Sequence, residues 1–162
     1  MKTISFCLFL ITLIITTSNF ATGQKVDFSG DWTLDKEKTV LANSQILLSK
    51  ISIKITSDSL LTLRVYESEN GDEYPFVENT TLNGNESKIV IYNMPRRSKA
   101  YWSDKDESLI FESVITYTGN NGTDDISMIE TWKIDKERKI LTIDYTNKSS
   151  GGEYSGTNYY KK

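Results

Sequence analysis

The chain has 162 residues, with 19 basic and 22 acidic side chains, one cysteine and no histidine. Its formal charge of −3, with the two signs mixed along the sequence, offers no basic stripe for a phosphate backbone, so no nucleic acid partner is expected. The missing histidine excludes Ser-His-Asp and Cys-His nucleophilic pairs, histidine-ligated zinc and histidine general bases.

Residues 1–23 read as a secretory signal peptide. Lys2 is the only charge before Lys25, and residues 4–15 (ISFCLFLITLII) form an apolar run of signal-peptide length, roughly 7–15 residues. That run is too short for a bilayer core, which needs about 20 apolar residues. The polar stretch TTSNFATG follows, and Ala21-Thr22-Gly23 supplies small residues where a peptidase reads them, which puts cleavage after Gly23. Cys7 lies inside the apolar run and leaves with it; no small residue precedes it as a lipobox requires. The expectation is an exported protein, periplasmic or secreted, without a disulfide, a lipid-linked cysteine or a transmembrane segment in the mature chain. Residues 24–162 are long enough for a single domain with one core.

From there, short β-type runs alternate with turn signals. GDWTL at 30–34 opens the series, and 35–44 could hold a helical turn capped by Asp35. Ile51, Ile53 and Ile55 alternate with Ser52, Lys54 and Thr56 in a strand over 46–56. After the Ser57-Asp58-Ser59 turn, Leu61, Leu63 and Val65 alternate with Thr62, Arg64 and Tyr66, up to a turn at Asn70-Gly71. Strands over 76–82 and 88–92 follow, the second ended by Pro95, so Arg96, Arg97 and Lys99 fall at an inter-strand loop and the start of the next strand. Further strands read at 99–103, 109–118, 126–134, 140–146 and 154–160. About ten strands joined mostly by tight links must pair antiparallel, because parallel crossovers need a dozen or more residues. A closed barrel and a sandwich are the economical answers; the meander favours an all-β, antiparallel up-and-down barrel of about 8–10 strands, which also removes exposed edges.

Phe28-Ser29-Gly30-Asp31-Trp32-Thr33-Leu34 contains Gly-x-Trp at the head of the first strand. This resembles the opening of the calycin superfamily, the lipocalins and fatty-acid-binding proteins. The longer FSGDWTLDKEKT, the later AYWSDKDESLIF, and ETWKIDKERKILTIDYT with a closing strand ending YYKK resemble small exported bacterial lipocalin-like proteins. The resemblance implies that Trp32 plugs one end of a barrel and that Lys161 or Lys162 packs over it as a cation. Fatty-acid-binding chains carry two lid helices between the first two strands; only about eleven residues separate Leu34 from Ile46 here, too few for that lid.

Among residues able to carry chemistry, Glu112 and Glu130 each sit in an otherwise apolar strand. As a cavity-lining pair they could do acid–base work; otherwise they point outward or neutralise a lysine. Trp102, Phe111, Tyr117 and Trp132 are the ligand-binding candidates, rings rich enough to line an apolar cavity, although the same rings can fill the core. Arg96, Arg97 and Lys99 would gate an anionic head group or form a solvated turn. Asp124-Asp125 fits no cation template and reads as an acidic turn, so no metal or cofactor is expected. The sequons at Asn79, Asn85, Asn121 and Asn147 read as Asn-rich turns, and Asp58-Ser59-Leu60 resembles a short bacterial O-glycosylation motif. The expectation is a non-catalytic, exported lipocalin-like protein that binds a small apolar or amphipathic ligand in its barrel. The alternative is a solid-barrel envelope module that binds a protein or glycan through its loops.

Overall fold

The structure is a computed structural model that describes residues 26–39, 46–103, 108–119, 122–135, 137 and 139–162. The signal-peptide reading of residues 1–23 and the sequon at Asn121 lie outside the described residues. Among those described there is no helix long and apolar enough to cross a membrane.

Ten strands form one antiparallel sheet: β1 (Gly30–Leu34), β2 (Ile46–Ile55), β3 (Ser59–Ser68), β4 (Glu73–Thr81), β5 (Ser87–Ile91), β6 (Met94–Trp102), β7 (Leu109–Gly119), β8 (Gly122–Asp135), β9 (Ile140–Ser149) and β10 (Gly152–Lys161). Their spatial order is β4-β3-β2-β1-β10-β9-β8-β7-β6-β5, a meander whose first and last strands pair through Thr33 with Lys161 and Leu34 with Tyr160. The result is a nearly closed up-and-down barrel. The possible helical turn after β1 is one turn over 36–39, in which the Asp35 carbonyl accepts from the amides of Lys38 (3.2 Å) and Thr39 (3.0 Å). Residues 40–45 are outside the described set.

The barrel is not closed by backbone pairing everywhere. β4 and β5, the two ends of the ladder, share no register among the described residues. One end of this seam is held by backbone contacts, with an isolated bridge from Asn83 to Tyr101 and the Gly84 amide donating to the Ala100 carbonyl. At the other end the Tyr92 hydroxyl donates to the Pro75 carbonyl at 2.7 Å. Between them, Arg96 and Ser98 of β6 reach Glu78 of β4.

The β5–β6 region departs from the sequence reading. The chain turns at Tyr92-Asn93, both in the left-handed region (φ 49° and 65°), as a two-residue hairpin with primed geometry requires. Pro95 therefore lies inside β6, opposite Val90. The two-residue hairpin makes Val90–Pro95 a pair whose main-chain groups face away from each other, so the proline nitrogen faces β7. Pairing with β7 begins only at Arg96, so the missing N–H costs no ladder bond. Arg96 and Arg97 consequently sit in the same strand as Lys99, not in a loop.

The apolar core fills the end of the barrel around β1. Phe28, Trp32, Ile51, Leu60, Leu109, Phe111, Trp132, Leu141, Ile143 and Tyr160 are essentially inaccessible there. The Trp32 indole N–H donates to the Phe28 carbonyl (2.9 Å), and the Lys162 ammonium lies 4.8 Å from the Trp32 ring centroid while donating to the Ser29 carbonyl. Gly30 makes this possible. Its φ is +133°, and a Cβ there would stand 2.9 Å from the Lys162 side chain. Gly-x-Trp thus has a physical reading: glycine clears the path of the last strand's lysine over the tryptophan.

Candidate functional site

Away from this packed end the barrel interior changes character. On β3 the leucines Leu61 and Leu63 face solvent, whereas Thr62 and Arg64 are buried. On β4 Val77 faces out while Glu78 and Thr80 face in, and on β5 Val90 is exposed. The inward side of β3 to β8 therefore carries Thr62, Arg64, Glu78, Thr80, Arg96, Ser98, Ser113 and Glu130, all buried. Polar groups in such positions are tolerable only when paired.

Two ion pairs hold most of them. Arg64 is bidentate to Glu130, Nη1 to Oε1 at 2.8 Å and Nη2 to Oε2 at 2.9 Å, and the Trp132 indole donates to the same Oε2 at 2.8 Å. The guanidinium also lies over the rings of Phe111 (4.4 Å) and Trp132 (5.3 Å). Burial alone would depress the Arg64 pKa; the Glu130 carboxylate, together with Tyr66 and Glu78, more than offsets that and holds the cation protonated. The second pair is Arg96 with Glu78, Nε lying 3.2 Å from both carboxylate oxygens, and the Ser98 hydroxyl donates to Glu78 Oε1. Both members are only 1% exposed.

Above the second pair lies an open, largely apolar cavity of about 520 Å³. Every strand from β2 to β9 contributes to its wall, through Ile46, Tyr66, Phe76, Ile91, Met94, Ile115, Ile126, Met128 and Asn147 among others. Tyr66 and Phe76 stack with ring centroids 5.9 Å apart, and Tyr74 meets Tyr92 edge-on at 6.1 Å, next to the hydroxyl that bridges the seam. Arg96 and Ser113 border the same space. Its volume and lining are those of a small-molecule site, about 300–1,000 Å³ of apolar surface with few polar groups.

The four aromatic candidates are placed elsewhere. Phe111 and Trp132 stack at 5.9 Å in the closed core, and Trp102 packs on Phe28 at the same separation. Tyr117 is 51% exposed near the tip of the β7–β8 hairpin. None of them borders the cavity, whose aromatic wall is Tyr66, Tyr74, Phe76 and Tyr92. Glu112 and Glu130 do not meet either. Phe111 pairs with Glu130 and Glu112 with Ile129, so the two carboxylates face opposite sides of the sheet. Glu112 instead accepts from the Tyr101 hydroxyl (2.6 Å), and Glu130 serves an arginine rather than a lysine. Paired-carboxylate hydrolysis through these residues has no geometric basis.

Arg97 faces outward, 3.7 Å from Asp125. Asp124 accepts from the amide and hydroxyl of Ser150, and Asp125 from the Thr116 hydroxyl. Among the described residues no three acidic, cysteine or histidine side chains gather as a metal site. Asn85 is exposed between β4 and β5, whereas Asn79 lies in β4 and Asn147 in β9 rather than in turns, Asn147 donating to the Tyr154 hydroxyl. No protein-family model matches the chain, and neither does any curated protein or solved structure.

Proposed function

We propose that the protein is an exported, non-catalytic, lipocalin-like binder of a small apolar or amphipathic molecule, held inside the barrel. The observation that carries this reading is the 520 Å³ apolar cavity, walled by eight of the ten strands and open at one end. Interiors that only fill themselves pack to crystal density, with few voids larger than a water molecule. A space of this size is too large for a packing defect. Trp32 under Lys162 and the leader-like residues 1–23 support the lipocalin-like and exported parts of the proposal.

Native mass spectrometry on protein exported by its own leader, set against the denatured mass, tests it. A discrete excess mass lost on denaturation identifies a bound small molecule. Absence of that mass, together with failure to take up a neutral apolar dye such as N-phenylnaphthylamine, removes the reading. The solid-barrel interaction module keeps one supporting observation, the outward apolar residues Leu61, Leu63 and Val77 on β3 and β4. Capture of one dominant protein partner through that face would favour it.

A further inference from the structure

The cavity wall carries polar atoms that the protein leaves unsatisfied. Arg96 Nη2, Ser113 Oγ and Asn147 Oδ1 are buried, belong to residues lining the cavity, and have no hydrogen-bond partner within the protein. Arg96 pairs with Ile115 and Ser98 with Ser113, so Arg96 and Ser113 are diagonal neighbours on the inner face. Asn147 pairs with Met128, which pairs with Ser113, placing it two strands from Ser113, about 10 Å across the wall. Buried donors and acceptors of this kind are costly unless something meets them.

Charge decides what can meet them. Apart from Asp35, which lies beyond the end of β1 near Lys161, the buried charged side chains among the described residues are Arg64, Arg96, Glu78 and Glu130. They form two complete ion pairs, so the interior sums to zero without a ligand. An anionic head group beside Arg96 would bring an uncompensated negative charge close to Glu78; a cationic one would lie against Arg96. Burying an unpaired charge is strongly unfavourable, whereas an uncharged oxygen leaves the balance intact.

Resting on the ligand-binding reading above, we propose that the cavity selects an uncharged amphiphile: an apolar body with a hydroxyl, ester or amide head whose oxygen accepts from Arg96 Nη2 and the Ser113 hydroxyl. Glu78 is the specificity-determining residue. It neutralises Arg96 from within the chain and so denies that cation to a carboxylate ligand.

The test is displacement of N-phenylnaphthylamine from the full mature chain at neutral pH by four probes with one tail: lauryl alcohol, laurate, laurylamine and dodecane. Lauryl alcohol is expected to bind at least about tenfold more tightly than either charged probe, and more tightly than dodecane. Ser113→Ala should narrow the gap between the alcohol and dodecane. Glu78→Gln, which keeps the side chain's shape, should invert the order so that laurate exceeds the alcohol. Laurate binding to the wild-type protein as tightly as the alcohol overturns the inference while leaving the ligand-binding reading intact. So does equal affinity for the alcohol and dodecane, which would mean that water satisfies the wall. Failure of all four probes to displace the bound dye overturns the inference while leaving the ligand-binding reading intact; failure of the dye itself to bind counts against that reading. An unchanged order in Glu78→Gln, with the fold verified by circular dichroism, overturns the role given to Glu78.

Discussion

At the scale of single residues, the buried arginines matter most. Arg64 has its carboxylate partner, two aromatic faces and no solvent, so removing Glu130 leaves a cation that can neither be hydrated nor shed its proton. Glu130→Ala should cost about 3–5 kcal/mol in urea denaturation, and the double replacement Arg64→Leu with Glu130→Leu should recover most of that loss. An exposed pair such as Lys50–Glu73 is screened by solvent and should matter far less; a Glu130 variant no worse than a Glu73 variant would contradict the account. Tyr160 gives a pH prediction of definite sign. Burial raises its pKa well above 10.0, and its hydroxyl donates to the Leu48 carbonyl at 3.1 Å. Above about pH 10 the unfolded chain loses this proton while the folded one keeps it, so the unfolded state binds fewer protons and stability falls as pH rises. The melting temperature should hold until about pH 10 and then decline, with a shallower slope in Tyr160→Phe, which has no proton to lose.

At the scale of strands and turns, the seam between β4 and β5 is the soft part of the barrel. Its strands lack a shared ladder, and one end carries the Tyr92 hydroxyl on the Pro75 carbonyl and the contact of Tyr74 with Tyr92. Amide exchange should be fastest in β5 and in the outer half of β4, slowest in β8 to β10, and Tyr92→Phe should speed β5 further. Uniform protection around the barrel would refute this. The same elements show what could be read beforehand. The period-2 rule located β2 and β3 to within a few residues, because alternation reports a pleat whichever side is wet. It could not say which side is wet. On β3 Leu61 and Leu63 are outside and Arg64 inside, an inversion that makes sense only once Glu130 is known to stand across the barrel. Pro95 reads as a breaker because prolines usually are; the turn that precedes it, Tyr92-Asn93, lacks the glycine that normally marks primed hairpins. The cavity wall is not legible in the sequence for a related reason. Aromatic content picks out strands, but depth along the barrel follows from register, which put Phe111 and Trp132 at the plugged end and Tyr66 and Phe76 at the open one.

At the scale of the whole molecule, the barrel divides into a rigid end and a receptive one. Around Trp32 the packing is dense, and the first and last strands are tied together by Lys162 passing over the ring. Toward Tyr74 and Tyr92 the sheet loses its ladder and the interior opens into the cavity. This division means that filling the cavity should separate binding from stability, which core substitutions cannot do. Met128 lines the cavity on the inner face of β8, while its neighbour Ile129 is 51% exposed on the outer face. Met128→Trp places a large ring in open space, so it should lower affinity for the neutral dye at least about tenfold while leaving the melting temperature unchanged or higher. Ile129→Trp adds an indole to the same strand one residue away and should leave dye binding untouched. Equal loss of binding in the two variants would mean that the dye reports on the outer surface. Loss of stability in Met128→Trp with retained binding would mean that this wall is packed core and the ligand sits elsewhere.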